Sequence, residues 1–123
     1  MTLRALLVDD NRAFLASARA LLESQDLQVV ATATNPAEAV QQVGREHPDV
    51  VVVDLHLGSA SGLDLARELA AGGGTPPAVV LVSTVGYDDL AALAADAPVR
   101  GFLTKTDLSA DAVTSIVRGG APA

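Results

Sequence analysis

The chain has 123 residues, half of them apolar, which is enough for one domain with a core of its own and too apolar for a disordered tail. A net charge of −7 argues against a nucleic-acid-binding surface, and the absence of cysteine excludes disulfides, thiolate metal sites and cysteine nucleophiles. Aromatic residues are only 2%, so valine, leucine and alanine must fill the core.

Leu3 to Val8 reads as a short buried strand with no helical spacing. Asn11 can cap the helix that follows, in which Phe14, Leu15, Ala18, Leu21 and Leu22 make one apolar face. Leu27 to Ala31 is a second strand. Asn35-Pro36-Ala37-Glu38 is a helix start, with a cap, a proline in the first position and an acid in the third. Val40 and Val43 are then expected to face inward, and His47-Pro48 ends the helix. Val50 to Val53 is the third strand. Four valines in a row imply burial on both faces, as in a parallel sheet covered by helices.

Ser61-Gly62 opens a helix carrying Leu63, Leu65, Ala66 and Leu69, and the run 72–77 (GGGTPP) is a loop. Ala78 to Val82 is the fourth strand. Tyr87 to Ala95 reads as an alanine-rich helix with Asp88 and Asp89 at its positive end. Val99 to Leu103 is the fifth strand, and Ser109 caps a last helix with Val113, Ile116 and Val117 inward. The alternation is (βα)5, an α/β fold with a parallel five-stranded sheet. Residues 119–123 read as a flexible tail or the start of a linker. There is no signal-peptide pattern and no apolar run of membrane-spanning length, so a cytoplasmic location without membrane contact is expected.

Three aspartates and a lysine follow these strands directly. Asp9 and Asp10 close the first, Asp54 closes the third and Lys105 follows the fifth. Open α/β sheets place their sites at such strand ends. Carboxylates converging there repel one another unless a cation joins them, and a hard divalent ion with oxygen ligands, Mg²⁺ by preference, suits them. The constellation points to phosphate chemistry on an aspartate.

With Gly62 opening the third helix, Ser83 after the fourth strand and the segment Gly101-Phe102-Leu103-Thr104-Lys105, these residues resemble the receiver domain of bacterial two-component response regulators. The resemblance covers essentially the whole chain, with the domain over 1–118. It implies a flavodoxin-like doubly wound sheet of order 2-1-3-4-5. It implies that Asp54 accepts a phosphoryl group from a sensor histidine kinase or phosphotransfer protein. Asp10 and Asp9 would hold Mg²⁺ together with Asp54 and the backbone carbonyl of His56. Lys105 would pair with the phosphoryl oxygens and Ser83 would donate a hydroxyl hydrogen bond, Thr84 being the alternative if the strand end lies one residue on. Phe102 stands at the family's switch aromatic, with plain strand packing as the other reading. Such a domain is a signalling module and not an enzyme with an external substrate.

Several residues depart from the family pattern. Gly58 stands where proline is usual, which suggests a looser loop, and Thr106 stands where proline often follows the lysine, which leaves the isomer of that peptide bond open. His56 could face the phosphoryl group or be an exposed loop residue. A dehalogenase-type phosphatase would need a second acid at position 56, and a dinucleotide fold would need a glycine-rich turn where Asp9-Asp10-Asn11-Arg12 stands. A receiver-like binding module independent of phosphorylation is the remaining rival. The Asp-Asp-Asn start and Lys-Thr-Asp-Leu-Ser segment resemble receivers of LuxR/NarL-type transcription regulators. On that likeness a transcription-regulating output would lie outside this chain, and a homodimer through the alanine-rich helices is open.

Overall fold

Five parallel strands carry the molecule, described over residues 2–72, 74–84 and 97–119 of a computed structural model. In chain order the elements are β1 (Arg4–Val8), α1 (Arg12–Ser24), β2 (Gln28–Ala33), α2 (Pro36–Glu46), β3 (Val50–Asp54), β4 (His56–Leu57), β5 (Ala60–Ser61), α3 (Gly62–Ala71), β6 (Ala78–Ser83) and β7 (Gly101–Thr104). A 3-10 turn, Lys105–Asp107, and a C-terminal helix, Ala110–Gly119, follow. The main sheet has the order β2-β1-β3-β6-β7, which is the expected 2-1-3-4-5 once the short β4–β5 hairpin is set aside. The helix expected over Tyr87 to Ala95 lies outside the described residues.

Local chemistry starts each helix. Asn11 Oδ1 accepts from Phe14 N at 3.1 Å, Asn35 Oδ1 from Glu38 N at 2.9 Å, Ser61 Oγ from Leu63 N at 3.1 Å and Ser109 Oγ from Ala112 N at 3.0 Å. Each satisfies an amide that the helix leaves unpaired. Glu38 turns outward to take Thr34 N and Thr34 Oγ1, both at 2.8 Å. His47 ends α2 in the left-handed region at φ 47°.

Strand alternation splits the core in two. Ala5, Leu7, Val50, Val52, Val80, Val82 and Leu103 face α1 and the C-terminal helix, which return Leu15, Ala18, Leu22, Val113 and Ile116. Leu6, Val8, Val51, Val53, Val79 and Leu81 face the other way, onto Ala39 of α2 and Leu63, Leu65, Ala66 and Leu69 of α3. All four valines of β3 are buried, as their run implied. Two expected core positions are corrected. Val40 is 37% exposed and Leu21 40% exposed. In α2 the fully buried Ala39 sets the helix phase, which turns Val40 to the rim; in α1 the stripe through Leu15, Ala18 and Leu22 leaves Leu21 on its edge. The fifth strand starts at Gly101 rather than Val99, with Val99 still packed against the second core.

Gly62 is where α3 meets the end of β3. Its N donates to Leu55 O at 2.8 Å, and a Cβ on it would run into the carbonyl oxygen of Asp54 and stand 3.1 Å from the Asp54 carbonyl carbon. Backbone cannot yield as a side-chain tip can. Gly62→Ala should therefore destabilise the fold by about 1–3 kcal/mol, as overpacking does, read by urea denaturation. A change below about 0.5 kcal/mol, the size of a neutral surface substitution, would show that this approach is not tight.

Candidate functional site

Parallel strands bring their C-terminal ends to one edge, and register decides what meets there. Val8 pairs with Val53, so Asp9 and Asp54 lie one step further along neighbouring strands. Here the strand order reverses, β1 leading outward to β2 and β3 lying on its other side, which opens a crevice at the edge. Alternation puts Asp9, Asp54 and Lys105 on the face of α1 and the C-terminal helix, since Leu7, Val52 and Leu103 two residues earlier all face that way.

Their side chains meet. Lys105 Nζ stands 2.9 Å from Asp9 Oδ2 and 3.3 Å from Asp54 Oδ2. Asp9 is 1% exposed and Asp54 9%. Asp9 Oδ1 accepts from Asn11 N at 2.8 Å, and Asp54 Oδ1 from His56 N at 3.3 Å. Asp10 is exposed, yet it offers a carboxylate oxygen within 4.8 Å of those of Asp9 and Asp54. The Lys105 contact to Asp9 Oδ2 is at ion-pair distance but without hydrogen-bond alignment, so this buried oxygen has no hydrogen-bond donor.

Burial, and next the Asp9 charge, push the Asp54 carboxyl above the usual carboxylate range, against the His56 amide and the Lys105 ammonium, which favour the charged form. For Lys105 burial works against the charge, but the attraction of Asp9 and Asp54 outweighs it and raises the lysine above its ordinary range. Three oxygen donors with one buried oxygen lacking a hydrogen bond fit a hard divalent cation. Among the described residues this acid trio is the group with metal-ligand spacing.

The sequence comparison names this arrangement. Residues 5–118 match the model of the response regulator receiver domain. The chain belongs to the response regulator receiver domain family. A protein-glutamate methylesterase/protein-glutamine glutaminase of Alkalilimnicola ehrlichii is 33% identical over 90% of this chain, which spans only 29% of that protein. An uncharacterised transcriptional regulatory protein of Bacillus subtilis, YvfU, is 30% identical over 95% of the chain, which spans 60% of it. The chain thus covers a part of these relatives' length. Among solved structures, the signal receiver domain of a Mycobacterium tuberculosis response regulator, NarL, superposes with a TM-score of 0.81 at 26% identity, covering 96% of this chain and 98% of that one. A LuxR-family two-component response regulator from Aurantimonas gives 0.85 at 27%, covering 97% and 87%.

Within this receiver domain the remaining expected residues fall as follows. Ser83 is the last residue of β6, fully buried and paired in register with Thr104, whereas Thr84 is exposed just beyond it. By alternation Ser83 falls on the opposite sheet face from Asp54, the face on which Leu81 packs. Phe102 is half-buried on that same face, against the second core. The side chain of His56 is exposed. At φ 64° Gly58 closes the hairpin of β4 and β5, in which His56 pairs with Ser61, and a Cβ there would stand 3.8 Å from Asp10 Oδ2. No cis peptide bond occurs among the described residues, so Lys105–Thr106 is trans. No described helix is long and apolar enough to cross a membrane.

The sequence places one further neighbour of the cluster only in the core. The Phe14 ring centroid lies 4.2 Å from Lys105 Nζ. An aromatic in the first turn after an acidic pair, in a chain with two phenylalanines, was the available signal.

A carboxyl whose folded pKa is raised stabilises the fold only while protonated. That contribution is complete below the ordinary value of 3.8 and is lost as pH rises through the folded value. In metal-free protein Asp54→Asn should therefore be more stable than wild type at pH 7, with the gap closing as the pH falls toward 4. Urea denaturation at both pH values checks this; a variant less stable than wild type at pH 7 contradicts it.

Proposed function

We propose that this receiver domain works in a two-component phosphorelay with Asp54 as its phosphoacceptor. The observation that carries the reading is the pair of buried carboxylates, Asp9 and Asp54, joined by Lys105, with Asp9 Oδ2 left without a hydrogen bond. A carboxylate oxygen of Asp54 attacks the phosphorus of a phosphohistidine on a sensor kinase or phosphotransfer protein. The P–N bond breaks, and its electron pair leaves with the imidazole. Positioning and charge compensation do the remaining work in such a transfer.

Each neighbour then has a task. Lys105 moves its ammonium from Asp54 toward the new phosphoryl oxygens as a point charge. Asp9, Asp10, Asp54 and the His56 carbonyl oxygen would hold Mg²⁺, whose charge offsets that of the phosphoryl oxygens. Ser83, at the end of β6 and one step past the Val82 that pairs with Asp54, would reach the phosphoryl group with its hydroxyl round the strand end, Thr84 being the less suited of the two because it lies outside the strand. Phe102, on the Ser83 side of the sheet, follows the change inward. The added charge, about −1.5 to −2, biases the surface that a downstream partner or output region reads. The chain spans part of a transcription regulator and part of a methylesterase, so the output belongs to what lies beyond the receiver in those relatives.

Incubation with a small acyl-phosphate donor and Mg²⁺ should add one phosphoryl mass to the wild type and none to Asp54→Asn. An adduct on the variant at the wild-type rate would move the acceptor elsewhere. Asp10→Asn should raise the Mg²⁺ midpoint of thermal stabilisation by about ten-fold, as losing a ligand charge does, without lowering the metal-free melting temperature, because Asp10 is exposed and its charge repels those of Asp9 and Asp54. An unchanged midpoint would remove Asp10 from the site.

A further inference from the structure

We propose that Phe14 is a positioning residue for Lys105, holding the ammonium between Asp9 and Asp54 through the face of its ring. The Lys105 nitrogen is 4.2 Å from the ring centroid, within the range where the ring's negative face attracts a cation. Its side chain is only 19% exposed, so water competes weakly for that contact. The attraction is larger where the cation is desolvated.

The ring is itself held. Phe14 N donates to the Asn11 side chain at 3.1 Å, which fixes the first turn of α1, and the ring packs against Leu15's side of the core. The same Asn11 donates its own N to Asp9 Oδ1 at 2.8 Å. One capping residue therefore sets the position of the ring and of the carboxylate that share the lysine. The contact answers a specific need. Lysine is a point charge on a flexible four-carbon stem and has no fork to lock it on two carboxylates. Asp9 and Asp54 alone define a line of attraction; the ring adds a third contact, so the ammonium is confined before a phosphoryl group arrives. This inference rests on the role proposed above for Lys105. The opposing view makes Phe14 simple core filler whose edge the lysine stem happens to cover, and shape alone would then matter.

The test varies the ring's charge distribution at constant shape. Phe14 is replaced by mono-, tri- and pentafluorophenylalanine and, separately, by Tyr and Leu. Phosphorylation is followed with a small acyl-phosphate donor and Mg²⁺. The rate should fall stepwise with fluorination, by about two- to thirty-fold in total. Phe14→Leu should match the fully fluorinated protein, and Phe14→Tyr should restore the wild-type rate. Equal rates across the fluorinated series would overturn the proposal. NMR relaxation of the Lys105 Cε methylene in metal-free protein gives a second readout that needs no phosphorylation. Lower order in the pentafluorophenylalanine protein than in wild type supports positioning even if the wild type takes no phosphoryl group, which would sink the proposed function alone. Unchanged order overturns the positioning role whatever the phosphorylation result.

Discussion

The Lys105 ammonium between Asp9 and Asp54 is the interaction that lets this site exist. Two unit charges about 4 Å apart interact by about 4 kcal/mol at an effective dielectric constant of about 20. The repulsion of two adjacent carboxylates is then about as large as either attraction to the lysine, so one lysine makes the pair tolerable without neutralising it. With Asp10 beside them, three carboxylates against one ammonium leave two negative charges uncompensated. That residue of charge matches a divalent cation. Part of it sits on the exposed Asp10.

This juxtaposition follows from backbone register. Asp9, Asp54 and Lys105 lie at or just past the ends of three separate strands and share a sheet face because each lies two residues beyond a core residue of that face. A slip of one residue in β3 would turn Asp54 into the opposite core, where a carboxylate has no cation. The four buried valines before it oppose such a slip weakly, since both faces are apolar. The Asp54–Lys105 contact opposes it more, because the observed register, with Asp54 paired to Val82, brings that carboxylate to the ammonium.

The fold was legible where one signal decided the outcome. Asn11, Asn35, Ser61 and Ser109 cap helices as their types imply, and the valine run reports a strand covered on both faces. The acids and the lysine were legible because charged residues directly after apolar runs have few other reasons to be there. Helix phase was not legible at Val40 and Leu21. Hydrophobicity ranks valine above Ala39, but close helix–sheet packing favours the smaller side chain. That Gly58 closes a hairpin at positive φ was not legible either, since a glycine in a loop does not show which turn it makes. Phe14 was read as core because an aromatic on an apolar helix face usually is, and nothing in the sequence shows how close its ring comes to a lysine 91 positions later.

The surroundings of Lys105 also tie the site to the C-terminal helix. Its backbone joins β7 to the 3-10 turn, Leu108 N donates to its carbonyl at 3.5 Å, and the buried Leu108 leads to the Ser109 cap. At the end of that path Ala110 N donates to Gln25 Oε1 at 2.7 Å, tying the C-terminal helix to the end of α1. On the other side, a Cβ on Gly101 would stand 2.8 Å from Ile116 Cγ2, so β7 already lies tight against that helix. The backbone around Lys105 thus packs on the C-terminal helix on one side and leads into that helix's cap on the other. Across the sheet, Ser83 and the half-buried Phe102 lie on the face away from Asp54. The two faces of the sheet thus meet at the end of β6, where Val82 pairs with Asp54 and Ser83 follows on the other face.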